Sequence, residues 1–323
     1  MPRLTAQLSP LLTPELLEKL KQAKVRSVLD FISQDPEHLI LKAGISYKEV
    51  LYLRKILMSQ FSSSGLNGLE LYDNVLKSVA VLPSGCASLD DLLDGGLYSM
   101  EIAEVVGSVA SGKTQFCLQT ALQTAANGQT VLFMDTGANF DIVRAHAMLT
   151  CKGLSEEEME TILGRIRHVH AYTASEVLGE LQKAEELIES EEADSNSIRL
   201  IIIDNISAVI LPILGNSTLE GHSMMSLIAK AMKSLAYHHS IALLVTNNTV
   251  TNMNQTLKPA LGKAWLEVPD VRLEISGESS VQITPQGSSQ RAGDSVRTCT
   301  VTKSNKMAIG KTANFLIADQ GFV

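Results

Sequence analysis

Apolar residues recur at two different periods along this chain, and the change of period marks its organisation. Over residues 1 to about 60 the period is helical. Leu16, Leu17 and Leu20 follow Thr13-Pro14-Glu15, a cap, a first-turn proline and an acid that together start a helix. Residues 25–32 form a second short segment, and Ser33-Gln34-Asp35-Pro36-Glu37 starts a third in the same fashion. Val50, Leu51, Leu53, Ile56 and Leu57 place a last helix over 47–61. The pattern predicts a small all-α domain at 1–60, a bundle of four or five short helices. Lys42-Ala43-Gly44-Ile45-Ser46 between two of them has the form of a turn whose amides can hold a DNA phosphate, or of a plain interhelix turn. Ser62 to Gly68 is small and polar, the composition of a linker. Apolar residues return at Leu69, Leu71, Tyr72, Val75 and Leu76, too few to make a core. Residues 61–78 therefore read as a linker with a docking segment, Leu69, Tyr72 and Val75 being its contact candidates, although the spacing equally suits packing back on its own domain.

From residue 79 to 323 the pattern is α/β. Short apolar runs at 102–106, 130–135, 166–171, 200–204 and 241–245 alternate with helical stretches at 113–126, 141–149, 155–163, 174–192 and 224–238. Buried strands alternating with helices predict a mostly parallel sheet covered on both faces. Beyond Asp270 the runs at 271–275, 296–301 and 314–317 read as antiparallel strands, and 277–294, rich in Ser, Gly and Gln, as a mobile loop. No internal repeat is visible.

Between the first strand and its helix stands Gly107-Ser108-Val109-Ala110-Ser111-Gly112-Lys113-Thr114-Gln115. This is a phosphate-loop pattern in the context that gives it meaning, strand, glycine turn, helix. Gly107 and Gly112 let successive amides converge on phosphate oxygens, and the helix N-terminus adds partial positive charge. Lys113 reaches the β- and γ-phosphates of ATP, and the Thr114 hydroxyl is placed to ligate Mg²⁺. The run at 200–204 then delivers Asp204 to the carboxyl end of a buried strand, where it holds the same Mg²⁺ directly or through water.

Composition narrows the rest. The chain has 323 residues, 45% hydrophobic and 19% charged, with a net charge of −8. An acidic chain has no global field for nucleic acid, so any DNA contact must be local. Cys86, Cys117, Cys151 and Cys299 lie far apart without C-x-x-C spacing and read as reduced intracellular thiols. No apolar run is long enough for a membrane span, and no signal-peptide core is visible at the N-terminus. His168 and His170, two apart on a strand, point the same way, which suits a metal. With no third ligand near them in sequence, surface histidines are the simpler reading, as they are for His238 and His239.

The phosphate loop continuing into Gln115, the Asp90-Asp91-Leu92-Leu93-Asp94-Gly95-Gly96-Leu97 segment, Met134-Asp135-Thr136 and Val245-Thr246-Asn247 resemble the RecA-like recombinases of eukaryotes and archaea. Gly44 to Lys48, Asn67-Gly68 with Leu71-Tyr72, and Leu257 to Gly262 before Trp265 most resemble the D-type branch of the recombinase paralogues. The resemblance spans nearly the whole chain. It implies a RecA-like ATPase core at 79–323, ATP and Mg²⁺ as cofactors, homologous-recombination DNA repair in the nucleus, and a hetero-oligomer with sister paralogues. That assembly would bind single-stranded or branched DNA and promote filament assembly by the main recombinase. A self-sufficient strand-exchange ATPase and a nucleotide-stabilised scaffold without DNA contact are the competing expectations.

Departures from the family pattern qualify the chemistry. The family carries Asp-Thr-Glu-Gly after its second core strand, its Glu orienting the attacking water; here Gly137 takes that place, so slow hydrolysis is expected. Asp141 is the nearest downstream carboxylate. The family's γ-phosphate sensor Gln is replaced by Asn248, a shorter side chain. The first DNA loop, expected at 212–223, has no Lys, Arg or aromatic residue, only His222. The second, at 248–266, offers Lys258 and Lys263, with Trp265 either stacking on a base or packed in the protein. Arg297, Lys303, Lys306 and Lys311 make a basic C-terminal edge. By resemblance, Lys303 and Lys306 are candidates for reaching ATP held by an adjacent subunit; a solvated basic face is the alternative.

Overall fold

The computed structural model describes residues 4–61, 67–189, 198–215, 219–251, 257–277 and 295–323. The linker segment 62–66 and most of the expected loop at 277–294 lie outside these. The chain forms two compact units, Met1–Leu76 and Lys77–Val323.

The first unit is a helical bundle: α1 (Pro14–Gln22), α2 (Val28–Ser33), α3 (Pro36–Ala43) and α4 (Tyr47–Phe61). Each start is written in the sequence. Thr13 caps α1 ahead of Pro14, Ser27 and Asp30 form a reciprocal capping box on α2, and Asp35 caps α3 ahead of Pro36. The apolar stripes so aligned meet in one core containing Leu20, Phe31, Leu39, Val50, Leu53 and Leu57. Gly44 closes α3 in the left-handed conformation, φ +67°, its amide bonded to Ile40. The Ser46 amide donates to Glu49 at 2.9 Å. Two amides of this turn are thus bonded within the chain, as in a plain interhelix turn. A fifth helix, α5 (Gly68–Ser78), takes the segment whose apolar residues were too few to make a core.

The second unit begins with β1 (Val81–Leu82), α6 (Ala87–Leu92) and β2 (Leu97–Tyr98), the two strands pairing antiparallel. Gly96 makes this return possible: it sits at φ +137°, and a Cβ there would lie 2.7 Å from the Leu82 carbonyl carbon and collide with its oxygen. Gly96→Ala is expected to cost roughly 1–3 kcal/mol, combining a forbidden backbone region with a backbone collision. Equilibrium denaturation checks it; an unchanged midpoint would mean the hairpin yields without cost.

The main sheet comprises β3 (Ile102–Gly107), β4 (Thr130–Asp135), β5 (Ile166–His170), β6 (Ile198–Asp204), β7 (Ala242–Thr251), β8 (Leu257–Pro259), β9 (Val271–Ser276), β10 (Ser295–Lys303), β11 (Thr312–Ala318) and β12 (Gly321–Phe322). Its order is β12-β11-β10-β9-β3-β7-β6-β4-β5, with β8 paired to β7. From β9 to β5 neighbours run parallel, and from β9 to β12 antiparallel. β9 was expected among the antiparallel strands; it belongs to both halves, parallel to β3 and antiparallel to β10.

Helices α7 (Lys113–Ala126), α8 (Ile142–Cys151), α9 (Glu156–Gly164), α10 (Ala174–Glu189), α11 (Ile206–Leu214), α12 (Leu219–His239) and α13 (Gly262–Trp265) fill the connections. Alternate residues of β6 and β7 serve opposite faces. Ile201, Ile203, Leu243 and Val245 pack with Val177, Leu181, Ile228 and Met232 from α10 and α12. Leu200, Ile202 and Leu244 pack with Phe116 and Ala121 of α7. No helix among the described residues is long and apolar enough to cross a membrane. All four cysteines are free, and only Cys151 is exposed.

Candidate functional site

The phosphate-loop residues leave the carboxyl end of β3, near the centre of the sheet, and enter α7. The turn bends through left-handed positions at Ala110, φ +62°, and Gly112, φ +108°. Close approach explains both glycines. A Cβ on Gly107 would strike Ser111 and lie 2.7 Å from the Ile275 carbonyl, and one on Gly112 would lie 2.8 Å from Ile317. Lys113 is 8% exposed. Its ammonium donates to the carbonyls of Gly107 at 2.9 Å and Ser108 at 2.8 Å. Burial lowers its pKa, against the pull of the nearby Asp204 carboxylate.

Asp204, at the end of β6, faces Thr114. The Thr114 hydroxyl donates to one carboxylate oxygen at 2.7 Å, and the Thr246 hydroxyl to the other. Burial raises the Asp204 pKa; these hydroxyl bonds and Lys113 oppose the rise, while Asp135 adds to it. The arrangement fits a nucleotide triphosphate and its metal on features of this chain alone. A positive group, a hydroxyl and a carboxylate converge at a helix N-terminus, and the Ser111 hydroxyl beside them is buried without a protein partner. Thr114 and Asp204 are the groups able to hold Mg²⁺ there.

The neighbouring positions follow. Gly137 lies beyond Asp135, whose carboxylate accepts from the amides of Gly137, Asn139 and Phe140 at 2.9 to 3.1 Å. Burial raises the Asp135 pKa, but those three amides and His168 outweigh it, and the net shift is downward. Asp141 is exposed and caps α8, accepting from Val143 and Arg144, so helix capping accounts for it. Asn248 is half-buried, its amide donating to the Ser207 hydroxyl at 3.1 Å.

Several expectations are corrected. The first loop was placed at 212–223, yet α11 runs through Leu214 and α12 starts at Leu219. Gly221 permits this, since a Cβ there would strike the Ile213 carbonyl of the facing helix. In the segment at 248–266, the described residues hold the end of β7, which reaches Thr251 and pairs with β8, and α13; 252–256 lie outside them. Lys258 and Lys263 are exposed on it. Trp265 is 0% exposed, its ring nitrogen donating to Glu104 at 2.8 Å, so of its two readings the packed one holds and stacking on a base does not. His168 and His170 do have a third potential ligand nearby, Asp135, brought alongside by the β4–β5 pairing.

Lys303 donates to the Leu266 carbonyl at 2.8 Å and stands 3.5 Å from Glu267. Lys306 pairs with Glu101 at 2.5 Å and sits 4.3 Å over the Tyr98 ring. Both have partners within their own chain. Leu69 and Tyr72 on α5 are 70% and 59% exposed, with Val75, Leu71 and Leu76 exposed beside them.

Glu104 escaped the sequence reading. It lies mid-strand in β3, fully buried, with one oxygen accepting from Asn247 and Trp265, each at 2.8 Å, and the other from Arg272. An acid inside an apolar run was the available signal, since such a residue is buried only with partners. Arg144 was missed as well. It bonds the Gln115 side chain at 3.0 Å and the carbonyls of Ala318 and Asp319, tying the phosphate-loop helix to β11.

Comparison with known proteins bears on the whole chain. A family profile described as "RAD51D, N-terminal domain" matches residues 1–60, and one described as "Rad51" matches residues 76–322. The chain is 36% identical to DNA repair protein RAD51 homolog 4 of Mus musculus over 313 residues, 96% of this chain and 93% of the relative. The Bos taurus protein of the same name is 36% identical over 280 residues, 86% of each. DNA repair and recombination protein RadA of Cenarchaeum symbiosum (strain A) is 27% identical over 248 residues, 72% of this chain and 60% of that one.

Proposed function

The chain belongs to the Rad51 family, and from that premise we propose that it is an ATP-binding recombinase paralogue of homologous-recombination repair, in which ATP serves chiefly to hold subunits together. The observation that carries the reading is a complete phosphate-loop site beside a position that has lost its carboxylate. Lys113, Thr114 and Asp204 converge, while Gly137 stands where the family resemblance places the water-orienting glutamate. Bound Mg²⁺ would neutralise phosphate charge and orient the triphosphate. Thr114 and Asp204 would hold it, Lys113 and the loop amides would hold the phosphates, and among the described residues neither nearby carboxylate is free to activate water. Asp135 is tied to three backbone amides and Asp141 to a helix end. Nucleotide that binds tightly and turns over slowly favours whichever assembled state binds it best.

The partners we propose are sister paralogues, in a nuclear hetero-oligomer that binds single-stranded or branched DNA and supports the main recombinase filament. Leu69, Tyr72 and Val75 on α5 offer an apolar docking face. Lys303 and Lys306 are proposed to reach ATP on a neighbouring subunit, exchanging their present partners for phosphate. Lys258 and Lys263 supply the local positive charge for DNA, so binding by the assembled complex should weaken steeply with salt. Absence of DNA binding by the assembled complex would favour a scaffold without DNA contact, and binding insensitive to both lysines would place the contact elsewhere.

The test is ATP binding and turnover measured side by side, with and without single-stranded DNA, on the native chain and on Gly137→Glu. Gly137 has an ordinary backbone conformation, and a Cβ there conflicts with the movable end of the Asn139 side chain. The substitution is expected to leave ATP affinity unchanged and raise turnover roughly tenfold or more, since a positioned base typically contributes about 10²–10⁴. Rapid DNA-stimulated turnover by the native chain would instead put the self-sufficient recombinase first.

A further inference from the structure

β5 is an edge strand, and its two histidines project from the same side of it, next to the end of β4. The register sets His168 beside Phe133 and His170 beside Asp135. One ligand atom from each of Asp135, His168 and His170 lies within 4.8 Å of the others. We propose that these three residues bind a divalent transition-metal ion of the zinc type, with water completing the coordination.

The donor set is the first argument. Two imidazoles and one carboxylate suit Zn²⁺ and its neighbours, whereas Mg²⁺ and Ca²⁺ select all-oxygen sites. The second is spacing. Metal–ligand bonds of about 2.0–2.1 Å at tetrahedral angles put two ligand atoms about 3.4 Å apart. His168 Nε2 and Asp135 Oδ2 are 3.5 Å apart, wide for a hydrogen bond and close to the separation of two ligands on one ion.

The third argument is that all three side chains are already held in place. Three backbone amides fix the Asp135 carboxylate. His168 packs on the Phe140 ring, centroids 4.6 Å apart, and stands perpendicular to His170 at 4.6 Å. His170 stacks on Tyr172 at 5.4 Å, and the Tyr172 hydroxyl meets its Nδ1 at 3.0 Å, which leaves Nε2 for the ion. An outer hydrogen bond of this sort is what fixes a ligating imidazole. The ion would pin the turn 135–140, which carries Gly137, to the edge of the sheet.

The experiment uses tag-free, full-length protein stripped with chelator and titrated with Zn²⁺ by calorimetry in excess Mg²⁺. Co²⁺ absorption then reports coordination geometry. One Zn²⁺ per chain is expected, with affinity falling tenfold or more in His168→Gln and in His170→Gln. Tyr172→Phe, which removes only the outer bond, should cost about tenfold. His239→Gln, in a separate group with Glu185 and Glu189, and Cys151→Ser, at the exposed thiol, should change nothing. Zn²⁺ should also raise the melting temperature of the native chain and of neither His168→Gln nor His170→Gln. Absence of stoichiometric Zn²⁺ binding would overturn the proposal and leave a carboxylate–imidazole pair. So would binding unchanged by both histidine substitutions.

Discussion

Glu104→Ala is expected to destabilise the core by about 3–5 kcal/mol, the cost of stranding a buried charge when its partner is removed. Glu104 is fully buried and Arg272 nearly so, with guanidinium and carboxylate in direct contact. Among the described residues, the alanine variant leaves the Arg272 guanidinium without a counter-charge, its remaining side-chain bond being a 3.5 Å contact to the Leu266 carbonyl. It also strips the acceptor from the Trp265 ring nitrogen and the Asn247 amide. Urea denaturation of the nucleotide-free protein measures the loss, and the double variant Glu104→Leu/Arg272→Met separates its causes. Removing both charges should recover a large part of the stability, because a desolvated pair is worth little more than apolar groups filling its volume. Recovery should stay incomplete, since Trp265 and Asn247 each still lack an acceptor. A single-variant loss below about 1 kcal/mol would mean that water reaches this cluster.

The same cluster bears on the nucleotide site. Glu104 lies on the strand that delivers Gly107, Asn247 directly precedes Asn248, and Trp265 shares α13 with Lys263. One carboxylate therefore joins the phosphate-loop strand, β7 and the segment carrying the exposed lysines. ATP affinity and the attitude of Lys263 should respond together when Glu104 is changed.

What could be read from sequence was local in the chain. The phosphate loop is contiguous, its two glycines and its lysine fixed by adjacent strand and helix patterns, and the helix starts at Thr13 and Asp35 are signalled within a few residues. Asp204 was legible because an apolar run of strand length ended on it. The Glu104 cluster was not, because its partners lie 143, 161 and 168 residues away and only the sheet order brings them together. The carboxylate beside His168 was hidden for the same reason, Asp135 reaching it through a strand pairing. Residues 212–223 misled in another way. The loop was placed there by resemblance, but Pro212 sits inside α11, and Gly221 allows α11 and α12 to touch.

Lys113→Ala should abolish the nucleotide dependence of this protein while leaving its fold nearly intact. The ammonium bonds two loop carbonyls, Gly107 and Ser108, and no other element of the fold hangs on it. With nucleotide bound, the same group would be the positive side chain of the loop facing two phosphates, and each charge-assisted bond is worth about 1.5–3 kcal/mol. Losing two predicts an ATP affinity weaker by about 10² or more. The consequence for assembly follows from linkage. At an ATP concentration of about 100 Kd, binding stabilises the competent state by about 2.7 kcal/mol; a 100-fold weaker site at that concentration leaves about 0.4 kcal/mol. Melting temperature against ATP–Mg²⁺ concentration should therefore rise for the native chain and stay almost flat for the variant. Lys113→Arg should behave nearly as poorly, because a planar guanidinium does not fit the buried position of a compact ammonium. If the alanine variant bound ATP as the native chain does, the nucleotide would have to sit elsewhere, and the assembly reading built on this loop would go with it.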